Sequence, residues 1–299
     1  MNQFNKEKKK YIVYKNDLKF KDLRNLNPEK IEWNCDSLES IYYNQNLDTI
    51  DYRMEECEKN NFEFLDLSHL NLKEIPILPS KITKIIKYLF LNNNNITTLK
   101  NIEQFTNIHV LDISNNFLTE VDYLPKNIRE FCCKYNFIVK ILSSHSLKIL
   151  DCTSNKLEYL EEFTNLETLI CSENNLKFLG EYPKLKKLVC KNNSLDEINS
   201  YKELVYLDCS FNCITKIKDC PNLKDLLCRN NKLIRIPNHM NSLQYIEMYN
   251  NKFSKICYYP NLKELYCDID GIDKVPIEYK SKILHSKVYK NKYLVLIFK

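Results

Sequence analysis

"LETLICSENNLKFLGEYPKLKKLVCKNNSLDEI", residues 166–198, states one pattern twice. Leu166, Leu169, Cys171, Asn174, Leu176 and Leu179 return as Leu185, Leu188, Cys190, Asn193, Leu195 and Ile198, each 19 places later. Extended in both directions, the unit LxxLxCxxNxLxxL begins at Phe62, Ile86, Ile108, Ile128, Leu147, Leu166, Leu185, Leu204, Leu223, Leu243 and Leu262. Those eleven units start 24, 22 and 20 residues apart and then settle at 19, with a single 20. A recurrence of this length marks a stacked-repeat architecture, in which no unit buries its apolar face alone and neighbours supply the core.

Each position has a physical duty. In "LVCKN", Leu188 and Cys190 alternate with Val189 and Lys191, the period of two of a short strand. One strand per unit at constant phase predicts a parallel sheet with Leu and Cys on its inner side. Only five residues separate the last apolar position of one unit from the first of the next, too few for a full helix. Turns, 3₁₀ pieces or extended chain are expected there, with Phe163, Tyr182, Cys220 and Tyr259 as a second set of inward plugs. The asparagines Asn94, Asn116, Asn136, Asn155, Asn174, Asn193, Asn212, Asn231 and Asn251 fall where the chain leaves each strand. An inward amide there supplies both donors and acceptors to backbone groups that lack ladder partners. Leu70 and Asp270 replace it in the first and last units, as terminal repeats usually do.

Cys133, Cys152, Cys171, Cys190, Cys209, Cys228 and Cys267 occupy the inner strand slot. Small buried hydrophobes fit that slot, and the chain has no alanine to share the duty. Strand neighbours about 4.8 Å apart are too distant for an easy disulfide, and a straight row of thiols cannot surround a zinc ion. Reduced core cysteines are therefore expected, with no metal and no cofactor. The other cysteines show no CxxC pairing.

The pattern resembles the leucine-rich repeat family, whose signature is LxxLxLxxNxL, over residues 62 to about 275. The resemblance implies an α/β class fold that is mostly β. The implied architecture is a right-handed parallel β-solenoid, or horseshoe, of about eleven repeats with little helix. It also implies a non-enzymatic module that binds a protein partner on its concave face. "IPILPSKI" (75–82) and "YLPKNI" (123–128) are similar to the outer segments of bacterial effector repeats. Those effectors append a ubiquitin-ligase domain, and none is expected here. The missing alanine and the abundance of Asn, Lys, Ile and Tyr resemble repeat proteins of giant amoeba viruses and A/T-rich protists.

The flanks divide the chain into an N-terminal cap (1–61), the array (62–275) and a C-terminal cap (276–299). In the first, 38–51 faintly echoes a unit and Trp33 is the sole tryptophan. The net charge of +5 is uneven: residues 1–30 carry nine Lys/Arg against four Asp/Glu, and 276–299 six against one, leaving the body acidic. A nucleic-acid binder should carry its basic stripe on the ordered body, so nucleic acid is disfavoured and remains an alternative for the basic ends. A substrate-recognition subunit of a ubiquitin-ligase assembly is the other alternative. The start lacks the apolar run of a signal peptide and no stretch matches a membrane helix. A monomeric, cytoplasmic protein is expected, in host cytoplasm if viral, with no membrane partner.

No catalytic constellation emerges. Two glycines exclude a phosphate-binding loop, and the five histidines are scattered without HExxH spacing. Asp66, Asp112, Asp151 and Asp208 recur at the fifth position of their units and are expected to be solvated. The partner surface is expected on that outward column and beside it. Ile149, Ile170, Val189 and Leu227 supply its aliphatic side chains; Tyr206, Phe211, Tyr245, Tyr249 and Tyr266 supply its aromatic ones. Apolar and aromatic residues on an open strand face point to a partner. Strand propensity alone, in a chain rich in Ile and Tyr, is the competing explanation.

Overall fold

A computed structural model describes residues 49–60, 63–253, 255–268, 275–280, 282–289 and 293–298. Trp33, Cys35, Asp270 and the echo up to residue 48 lie outside them. Each repeat contributes a three-residue strand at its third to fifth positions, from Phe64–Asp66 through Thr168–Ile170 and Lys187–Val189 to Tyr245–Glu247, and the last, Glu264–Asp268, is longer. These eleven strands pair in parallel and in chain order, each unit's fourth-position residue facing its neighbour's, as Leu169 faces Leu188. The expected mostly-β parallel solenoid with little helix is what forms.

The core is a stack of aliphatic layers. Leu166, Leu169, Cys171 and Leu176 are fully buried, and their counterparts in the next unit match them. The outer plugs Phe163, Tyr182, Cys220 and Tyr259 are buried too, and Tyr182 stacks on Tyr201 with ring centroids 6.2 Å apart. Outer segments are short, as the five-residue gap demands. They include a four-residue helix, Ser80–Thr83, a 3₁₀ turn, Ile102–Gln104, and two small parallel pairs, Glu120–Val121 with Lys140–Ile141 and Glu197–Ile198 with Lys216–Ile217.

The asparagine ladder is a latch between successive coils. Asn174 Nδ2 donates to the carbonyls of Cys171 (3.2 Å) and, one coil earlier, Cys152 (3.0 Å), while its Oδ1 accepts the Leu157 N–H at 3.0 Å. Asn193 repeats the set on Cys190, Cys171 and Leu176. Just before each ladder asparagine the backbone enters the left-handed region, at Asn93, Asn115, Tyr135, Ser154, Glu173, Asn192, Phe211, Asn230 and Asn250. Asparagine tolerates that conformation; tyrosine and phenylalanine do so at a cost. The turn persists because the N–H of Glu173, for one, is bonded at 2.9 Å to Lys191 O of the next coil.

Further elements pack at both ends of the row of repeat strands. Helix Ile50–Asn60 lies at the first strand, where the buried guanidinium of Arg53 bonds Asp66 Oδ1 (3.3 Å) and its carbonyl (3.0 Å). At the other end, the sheet reverses direction. Tyr293–Phe298 pairs antiparallel with Glu264–Asp268, and Ile283–Tyr289 closes a hairpin beyond it. Alternation buries Leu294, Leu296 and Phe298 against the last coil.

Candidate binding face

The third, fifth and seventh positions of the units line one face of the sheet, because alternate strand residues point the same way. In the middle and C-terminal coils the third-position column runs Ile149, Thr168, Lys187, Tyr206, Asp225, Tyr245 and Glu264. The fifth-position column beside it runs Asp151, Ile170, Val189, Asp208, Leu227, Glu247 and Tyr266.

The carboxylates of the fifth column correct the sequence reading. Asp66, Asp112 and Asp208 are buried, not solvated, and Asp151 is half-buried. Strands one residue-width apart crowd long neighbours around a short side chain, and the strand ends in a local hydrogen-bonding turn. Ser114 donates to Asp112 Oδ1 through both its N–H (2.9 Å) and its hydroxyl (2.5 Å), and Thr153 does the same to Asp151. Burial nevertheless pushes the Asp112 carboxyl up to about 6, against the lowering effect of Ser114 and Lys134.

The expected contact residues divide into two groups. Ile170 and Val189 are register partners and form a half-buried aliphatic pair, with Ile149 one strand earlier in the adjoining column. Leu227 stands between Asp208 and Glu247, so the aliphatic stripe is interrupted by acids. In the N-terminal coils the same column is shut, with Phe90 and Cys132 buried.

The aromatic residues gather at the C-terminal end, around two groups that the sequence reading did not single out. Arg229, at a seventh position, bonds Glu247 Oε1 at 2.8 Å and the Tyr249 hydroxyl at 2.6 Å. Its guanidinium lies 5.3 Å from the Phe211 ring centroid and 5.7 Å from that of Tyr249. Phe211 is therefore not a strand residue but a left-handed turn residue at the rim, folded onto the face through Arg229. Tyr245 packs on Tyr266 (5.2 Å), and Tyr249 packs on Tyr293 of the terminal hairpin (4.4 Å). Arg229 shares its seventh position with Lys134 and Lys191 but is the one arginine there, and Tyr293 lies outside the repeat, so the period could not point to either.

A second exposed group was also missed. Phe117 and Phe137 follow successive ladder asparagines and stack at 6.0 Å, with Tyr135 and Val139 exposed alongside. Their recurrence one place after the asparagine was the available signal. On the outer side a cleft of about 820 Å³ is lined by Lys216, Arg235, His239 and Cys257, away from the strand face. No group of His, Cys, Asp and Glu among the described residues could hold a metal ion, and no described helix is long and apolar enough to cross a membrane.

Comparison with known proteins agrees with the fold. Residues 86–126 match the family of Leucine Rich repeats (2 copies). No curated protein matches the chain in sequence. Among solved structures it is similar to YopM from Yersinia enterocolitica, at 24% identity and a TM-score of 0.61, over 71% of this chain and 52% of that one. It is similar to the functional domain of InlJ from Listeria monocytogenes, which includes a cysteine ladder, at 27% identity and a TM-score of 0.55, over 69% and 46%. The leucine-rich repeat domain of APL1B aligns at 17% identity and a TM-score of 0.54, over 76% and 86%. The chain thus spans about half the length of the first two.

Proposed function

We propose that this leucine-rich repeat solenoid works without catalysis, as a module that captures a protein partner on the strand face of its middle and C-terminal coils. One observation carries the reading. The residues that a stable fold does not require to be inside, Ile170, Val189, Leu227 and the tyrosines around Arg229, are collected on one face and left half-open. Tyrosine and arginine are the residue types in which binding energy concentrates. The carboxylates among them would repel phosphate, which favours protein over nucleic acid as the partner.

The test is a double substitution, Ile170→Asp with Leu227→Asp, used as bait beside the wild-type chain in lysates of candidate hosts. Both side chains are half-exposed, so charges there remain hydrated in the free protein but lose water in a complex. A protein retained by the wild-type bait and lost with the variant, whose melt stays within about 3 °C of wild type, supports the reading. Equal retention by both baits removes this face as the binding surface.

A further inference from the structure

Tyr206, Asp225 and Tyr245 are register partners on three adjacent strands. With strands about 4.8 Å apart, the two tyrosines stand roughly 10 Å from each other with a carboxylate on the floor between them. The far side of each ring is occupied. Lys187, on the strand before, lies 5.8 Å from the Tyr206 centroid, and Tyr266, on the strand after, lies 5.2 Å from that of Tyr245. On the sides turned toward Asp225, neither ring has a ring or cation contact among the described residues. A cation midway between them would be about 5 Å from each ring, within the roughly 6 Å over which a ring attracts it.

The repeat provides its own control for the acids. Asp66, Asp112 and Asp151 each accept both the amide and the hydroxyl of the Ser or Thr two places on. Asp208 accepts only the Ser210 amide, at 3.2 Å. The Ser210 hydroxyl makes no hydrogen bond although the residue is 1% exposed, and it lies on the same face two residues after Asp208. Asp225 has no ion pair or side-chain hydrogen bond among the described residues. The neighbouring Glu247 is different, being neutralised by Arg229. Two carboxylates with unused acceptors and two half-bare rings thus share one stretch of the face, and the unpartnered Ser210 hydroxyl lies farther along the chain, beyond the strand of Tyr206 and Asp208.

Resting on the reading of this face as a protein-binding surface, we propose that the slot between Tyr206 and Tyr245 receives an arginine side chain of the partner. The guanidinium lies between the rings and donates to Asp208 and Asp225. Arginine fits better than lysine because it is planar, stacks on aromatic faces and offers a fork of donors to two acceptors.

The probe is a capped pentapeptide, Gly-Ser-X-Ser-Gly, with X as arginine, lysine or citrulline, titrated into the whole chain and followed by amide chemical shifts. Citrulline keeps the shape and loses the charge. The arginine peptide should bind about tenfold more tightly than the citrulline one, and Asp225→Asn should cost about tenfold for arginine alone, the scale of one charge-assisted hydrogen bond. Tyr206→Leu should weaken arginine and lysine peptides together, and Asp208→Asn should reproduce Asp225→Asn. Equal binding of arginine and citrulline, arginine binding indifferent to both Asp variants, or shifts confined to residues outside these strands would overturn the slot. Such a failure, alongside partner capture that still depends on Ile170 and Leu227, would leave the interaction reading standing.

Discussion

The side-chain amide of Asn174 donates at 3.0 Å to the carbonyl of Cys152, 22 residues and one full coil earlier. Its oxygen meanwhile accepts the Leu157 N–H of that same earlier coil. Asn174→Ala therefore leaves the buried Leu157 N–H without an acceptor and takes one of two donors from the Cys152 carbonyl, which keeps Asn155 Nδ2 at 3.0 Å. At about 1–3 kcal/mol for the unsatisfied N–H and about 1 kcal/mol for the bond lost at the carbonyl, a loss of about 2–4 kcal/mol is expected. It should appear as a lower denaturant midpoint at unchanged slope. A midpoint equal to wild type would mean that water replaces the amide. Asn174→Asp keeps the acceptor and loses the donors, and should be no milder.

The inner thiols should be chemically silent in the native state. Cys171 and Cys190 are fully buried among leucines, and burial pushes both thiols far up from their usual range. Cys213, one place after its ladder asparagine, is exposed. A thiol reagent should label Cys213 quickly, with Cys213→Ser removing that phase, and should reach Cys171 and Cys190 only as the chain opens. Fast native labelling of either would contradict the packing. Cys190→Asp should unfold the centre of the array, because a buried charge there has no cation to meet.

Acidity should stabilise one part of the sheet. Asp112 ionises near 3.8 in an unfolded chain but near 6 when folded, because burial disfavours its charge. Between those values the folded chain holds a proton that the unfolded chain has released, so stability falls as pH rises through the window. The penalty is complete above about 6 and absent below 3.8. Glu130, on the adjoining strand, is also pushed up to about 6 by burial and adds to the same slope. Asp112→Asn, followed by urea denaturation at several pH values, should reduce the slope without abolishing it. An unaltered slope would show that Asp112 is hydrated.

Periodicity made the inner half of each coil readable. Leu169, Cys171 and Asn174 recur because stacking repeats their environment, so the sequence shows the sheet, the core and the ladder together. The open face is not under that constraint. Asp112 and Asp208 occupy equivalent positions, yet Ser114 bonds its aspartate with a hydroxyl and Ser210 does not. That difference is set by local geometry, which no letter reports. Arg229 sits where other coils carry Lys134 and Lys191, and its distinct role comes from Glu247 and Tyr249 on the next coil. Phe211 reads in the sequence as a neighbour of the strand columns, while its positive φ puts it at the rim.

A stack of like coils has no natural length. The exposed edge of its last strand matches the exposed edge of its first, just as the two sides of any interior joint match, and such head-to-tail complementarity is the geometry of an open fibre. The hairpin of Ile283–Tyr289 and Tyr293–Phe298 breaks that symmetry, because neither of its strands carries the LxxLxCxxN unit that an interior joint requires. Its outer strand, Ile283–Tyr289, is reversed twice and so runs with the repeat strands again, but it brings no ladder asparagine and no inner cysteine for the first coil of a second copy to meet. That hairpin, foreign to the repeat, turns an unbounded lattice into a counted object.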